Sequence, residues 1–174
     1  MALWAELDLT PRVHFSELEG TREQVTAFAS GQNLVTWQSP HSWRLSGEPT
    51  RVTLTPADAV QADAAIEMFE LPASRTFDAT FARKLKEDVA RALPREASTI
   101  EWANDEPNPI ELNRHPTYRI TGSYTISGQR YTMTVLVCNF AEHQLRFRLT
   151  ARATDFPKLH KQFHESLYTW QGLK

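Results

Sequence analysis

The chain has 174 residues, 23% of them charged and 41% hydrophobic, with a formal net charge of −2 at pH 7. That suits one folded domain with its own core and argues against general nucleic-acid affinity, which needs a basic surface for counterion release. One cysteine, Cys138, excludes an internal disulfide and a four-cysteine zinc site, and no apolar run reaches the length of a membrane span.

The opening MALWAELDLTPRVHF shows no basic leader followed by an apolar stretch. The expected setting is the cytoplasm, or an exported one whose signal or lipoprotein leader has been removed. Within residues 1–33, Ser16 and Glu19 fit a capping box. SELEG and TREQVTAFASG are accordingly expected as two short helices ended by Gly20 and Gly31. They would form an extension ahead of a single domain over residues 34–174.

LVTW is expected as a strand, SPHS as a turn, and Trp43 with Leu45 as a resumed apolar edge. RVTL and AAIEMFEL follow as strands, the second ending at Leu71 and Pro72. The period then changes. Phe77, Phe81, Leu85, Val89 and Ala92 fall on one stripe of a helix that Pro94 stops, with Arg83, Lys86, Glu87 and Arg91 outside it.

STIEW and PIELN are expected as two short strands around the loop ANDEPNP. A meander comes next. Tyr118, Ile120, Tyr124 and Ile126 share one face of the first strand, and Ser127-Gly128 makes a tight turn. Tyr131, Met133, Val135 and Val137 point inward on the second strand. After a turn at residues 141–143, Leu145, Phe147, Leu149, Ala151 and Ala153 form the apolar side of the third. Strict alternation over three neighbours predicts an antiparallel sheet with one apolar face. The last element is a helix capped by Thr154 or Asp155, with Pro157 in its first turn. Leu159, Phe163, Leu167 and Trp170 make its buried stripe, and His160 and His164 border that stripe.

The catalytic candidates are few. His160 and His164 supply two of the three or four ligands a zinc site requires, and HKQFH lacks the acid of the H-E-x-x-H motif. They are weak metal candidates beside a reading as helix-edge residues. Cys138 would need an electropositive setting to act as a thiolate. No G-x-S-x-G elbow is present, and six glycines leave little for a phosphate-cradling loop. Asp105, Glu106 and Glu111 lack the alternating oxygen ligands and glycine turn of a calcium loop. No catalytic residue and no cofactor is implied.

One surface stands out. If Ile120, Met133 and Phe147 face one layer, then Arg119, Arg130, Arg146, Arg148 and Arg152 face the other, interleaved with threonines. Arginine forks pair with carboxylates and phosphates. Such a face is solvated, covered by the acidic N-terminal residues Glu17, Glu19 and Glu23, or turned to a protein partner.

The order of these elements resembles the PsbP-like superfamily over about residues 34–171. The features that carry the resemblance are Pro40 and Trp43 in the opening SPHSW, the aromatic-rich meander, and the pattern D-F-x(6)-F-x-x-S-L at Asp155, Phe156, Phe163, Ser166 and Leu167. That fold is shared by the extrinsic photosystem II subunit, Ran-binding nuclear-transport proteins and bacterial domains of unknown function. The resemblance implies an α+β fold, an α/β/α sandwich around an antiparallel sheet, and binding rather than catalysis. Some relatives are exported or lipid-anchored, and others are cytoplasmic chaperones for secreted toxins. Three functions stay open: a non-catalytic binding or scaffold domain with a protein partner; a small-molecule binder with a sheet–helix pocket lined by Trp43 and Phe163; and a metal or thiol enzyme using His160, His164 or Cys138.

Overall fold

The computed structural model describes residues 7–72, 76–140 and 143–172. In chain order the elements are β1 (Leu7–Leu18), β2 (Thr21–Ser30), β3 (Asn33–Trp37), β4 (Arg44–Glu48), β5 (Arg51–Thr55), β6 (Asp63–Glu70), α1 (Ala79–Arg91), β7 (Ser98–Trp102), β8 (Glu106–Pro107), β9 (Thr117–Ile126), β10 (Gln129–Phe140), β11 (His143–Arg152) and α2 (Phe156–Leu167). Strands β1, β2 and β3 form a small antiparallel sheet. The large sheet runs β4-β5-β6-β11-β10-β9-β7, with β8 paired to β9 off that path. The α+β class and the antiparallel sheet expected from the sequence are both present.

The large sheet is covered on both faces. Leu85 and Val89 of α1 pack on Ile120, Met133, Val135 and Val137. On the opposite face Leu159, Phe163 and Leu167 of α2 meet Leu136, Phe147 and Leu149, and the small sheet adds Leu9, Phe28 and Trp37 to the same core. Two covered faces explain the continuous apolar run Val135 to Cys138, because both sides of β10 are buried.

Local chemistry sets the helix ends. The Asp78 carboxylate accepts the Phe81 N–H at 2.8 Å, satisfying one of the free donors at the start of α1. Asp155 occupies the N-cap of α2 without such a bond, and Pro157 sits in the first turn, where no intrahelical N–H is needed. At the far end the Trp37 indole N–H donates to the Ser166 carbonyl at 3.1 Å, tying the small sheet to α2.

Two segments depart from the sequence reading. Residues expected as two N-terminal helices are strands β1 and β2, paired from Leu7↔Ser30 to Leu18↔Thr21. Their turn, Glu19-Gly20, has positive φ at both residues (49° and 79°), the geometry of a two-residue hairpin. That turn overrides the capping-box pattern. PIELN is not a strand either. The strand forms earlier, at Glu106–Pro107, where Glu106 pairs with Arg119, while Ile110 and Leu112 are buried in the core. Of the turn expected at residues 141–143, positions 141 and 142 lie outside the described residues.

Candidate functional site

The histidine pair on α2 meets Arg119, brought from β9. One terminal nitrogen of the guanidinium lies 3.3 Å from His160 Nε2 and 3.3 Å from His164 Nδ1. The rest of the fork holds Glu106, Nε at 2.7 Å and the second terminal nitrogen at 2.8 Å. A guanidinium only donates, so both ring nitrogens accept, and both histidines are neutral. Burial first, then Arg119, pushes His160 down to about 4, and the same causes lower His164. The space left beside them amounts to about 10 Å³, scarcely one water. A metal ion would have to displace Arg119. Among the described residues no group of three or more His, Cys, Asp or Glu side chains could hold one.

The other chemical candidates are similarly engaged. Cys138 is fully buried, and burial pushes its thiol up to about 12, far from the thiolate a nucleophile requires. Asp105 meets Lys86 at 2.7 Å and accepts the Tyr118 hydroxyl at 2.9 Å. Glu106 is held by Arg119, so these two acids serve separate partners. Trp43 and Phe163 stack on each other inside the core, ring centroids 5.9 Å apart, and Trp43 also lines a cavity of about 130 Å³ beside α2 with Leu159 and Gln162.

The five arginines do not form one patch. The β10–β11 register pairs Val135 with Arg148, Val137 with Arg146 and Leu136 with Phe147. The β9–β10 register pairs Leu136 with Arg119 and Thr125 with Arg130. Arg119 and Arg130 therefore belong to the face under α2, and Arg146, Arg148 and Arg152 to the face under α1. The expected single face assumed a hairpin one residue longer. A shift by one residue reverses every side chain on a strand. Nor do Glu17, Glu19 and Glu23 cover the arginines. Arg130 meets Glu101 at 2.6 Å, Arg148 meets Asp63 at 2.6 Å, and Arg152 donates to Gln61 at 3.0 Å.

What the α1 face holds is a groove of about 460 Å³ between α1 and the sheet, a size that accommodates a ligand or an inserted segment. Its floor is Met133, Val135 and Thr150; its wall is Val89, Ala92 and Leu93 of α1 and the turn after it; Arg51, Arg146, Arg148 and Phe69 edge it. The Arg146 guanidinium lies 4.2 Å above the Phe69 ring, which is 39% exposed, and its Nε donates to Gln144 at 2.9 Å. Burial works against the Arg146 charge, and Asp88 and Glu67 support it. The sequence singled out Arg146 and Arg148 but missed Arg51, Glu67 and Phe69, which join them only because β6 pairs with β11 and β5 with β6.

No family model matches the chain, and no curated protein sequence does. Solved structures do resemble it. A protein of unknown function, PA94 from Pseudomonas aeruginosa, superposes with a TM-score of 0.52 at 14% identity, over 94% of this chain and 99% of that one. Cyanobacterial PsbP from Synechocystis sp. PCC 6803 gives 0.57 at 13% identity, over 79% and 85%. LpqN of Mycobacterium tuberculosis, involved in cell envelope biogenesis, gives 0.56 at 12% identity, over 94% and 92%. At these identities the likeness is one of fold, and this chain has the PsbP-like fold.

Proposed function

We propose that the chain is a non-catalytic binding domain that engages a protein partner through the groove beside α1. The observation that carries this reading is the conjunction of a half-exposed aromatic ring, three arginines and an apolar floor in one concavity. Arginine and aromatic side chains are the residues enriched where protein interfaces concentrate their affinity. The side chains that would make an enzyme are engaged elsewhere: Cys138 is buried and His160 and His164 are held by Arg119. A fold shared with PsbP and with a protein of cell envelope biogenesis is in keeping with a binding role.

Site-directed photo-crosslinking in the native cell tests the reading. A benzoylphenylalanine at Ala92, exposed on the groove wall, should form a discrete adduct with another protein, weakening as salt rises. The same probe at Lys161, on the outer side of α2, should not. No adduct at 92, or the same adduct from both positions, would overturn the proposal.

A further inference from the structure

The ion pairs around the groove do not balance. Arg51 meets Glu67 at 3.2 Å, Arg148 meets Asp63 at 2.6 Å and Glu67 at 3.9 Å, and Arg91 meets Asp88 at 2.7 Å. Arg146 gives its Nε hydrogen to the neutral Gln144, and its one ion pair among the described residues is with Asp88 at 3.8 Å, beyond hydrogen-bond length. Among the described residues, four guanidinium groups thus share three carboxylates, and Arg146 is the odd one. Its side chain is 18% exposed, so water compensates it poorly. The Phe69 ring fixes its plane from one side.

We infer that the groove takes a single carboxylate set among apolar groups, an aspartate or glutamate side chain in an otherwise apolar segment of the protein partner. This rests on the groove being the binding site. The excess of one positive charge matches one negative charge. A guanidinium fork offers a carboxylate two parallel N–H donors, while Met133, Val135, Val89 and Leu93 provide apolar surface for the neighbouring side chains. A doubly charged phosphate would leave one charge unmatched beside Glu67 and Asp88. A neutral segment would leave Arg146 with no carboxylate within hydrogen-bond length.

The test is an NMR titration of the whole chain, reading the Met133 methyl and Arg146 Nε signals. The probes are acetyl-Gly-Leu-Leu-Glu-Phe-Gly-amide, its glutamine counterpart and free 4-phenylbutyrate. The glutamate peptide should saturate these signals with at least about tenfold tighter binding than the glutamine peptide, the discrimination of one charge-assisted pair. Arg146→Met should erase that difference, Arg146→Lys should reduce it, and Ala92→Trp should block both peptides. Equal binding of the two peptides, both lost in Ala92→Trp, would overturn the carboxylate while leaving the groove as a site. Shifts unaffected by Ala92→Trp would remove the groove itself. Saturation by 4-phenylbutyrate with no response to either peptide would overturn the segment in favour of a free acid, and silence from all three would overturn the inference outright.

Discussion

Arg119 joins three elements with one side chain: Glu106 of β8, its own strand β9, and His160 and His164 of α2. The pair in HKQFH is therefore a structural acceptor site. Its border position was legible from helical spacing; its partner was not, because β9 lies some forty residues away in sequence. The arrangement makes stability depend on pH. Neutral His160 is held at about 4 in the fold against about 6.5 in an unfolded chain. Between those values the unfolded state binds the proton and the folded state does not, so stability falls as pH drops from about 6.5 to 4. At pH 5 the loss from His160 should be on the order of 1–2 kcal/mol. Urea unfolding at pH 7 and pH 5 measures it, and His160→Gln should flatten the difference. Arg119→Met should raise the His160 midpoint towards its ordinary value in an NMR titration. An unchanged midpoint would mean that Arg119 does not act on the pair.

At the scale of elements, each strand's alternation was readable, but the transfer of phase from one strand to the next was not. Ser127-Gly128, with φ of 49° and 80°, fixes the β9–β10 register as the sequence suggested. On β10–β11 the pairing of Phe140 with His143 leaves two residues between them, not three, and this alone moves Phe147 under α2 and Arg146 under α1. Alternation could not reveal the error because β10 is apolar on both sides. The helices were legible because each keeps one buried stripe. Phe163→Ala, which removes the ring stacked on Trp43, should cost about 3–5 kcal/mol; a cost below about 1 kcal/mol would contradict the packing of α2. Gly47 tests how the two sheets meet. A Cβ there would come within 2.9 Å of both the Arg51 carbonyl and Pro11 Cδ, so Gly47→Ala should lower stability by about 1–3 kcal/mol through overpacking.

For the molecule as a whole, a net charge of −2 conceals a local excess of positive charge beside α1. Composition could exclude a broad basic surface but could not locate this site, which exists only where β5, β6, β10, β11 and α1 converge. Removing residues 1–30 should prevent stable folding, since Phe28 stacks on Trp37 and Trp170 at 6.4 and 5.5 Å; a cooperative thermal transition in the truncated chain would show otherwise. On the reading proposed above, function lies in occupying the groove. The measurement that reaches it most directly is the affinity of the purified domain for the partner captured at Ala92, compared between wild type and Ala92→Trp. Binding should be at least about tenfold weaker for the filled groove, equivalent to roughly 1.4 kcal/mol, with an unchanged unfolding midpoint. Equal affinity in the two proteins would contradict that reading.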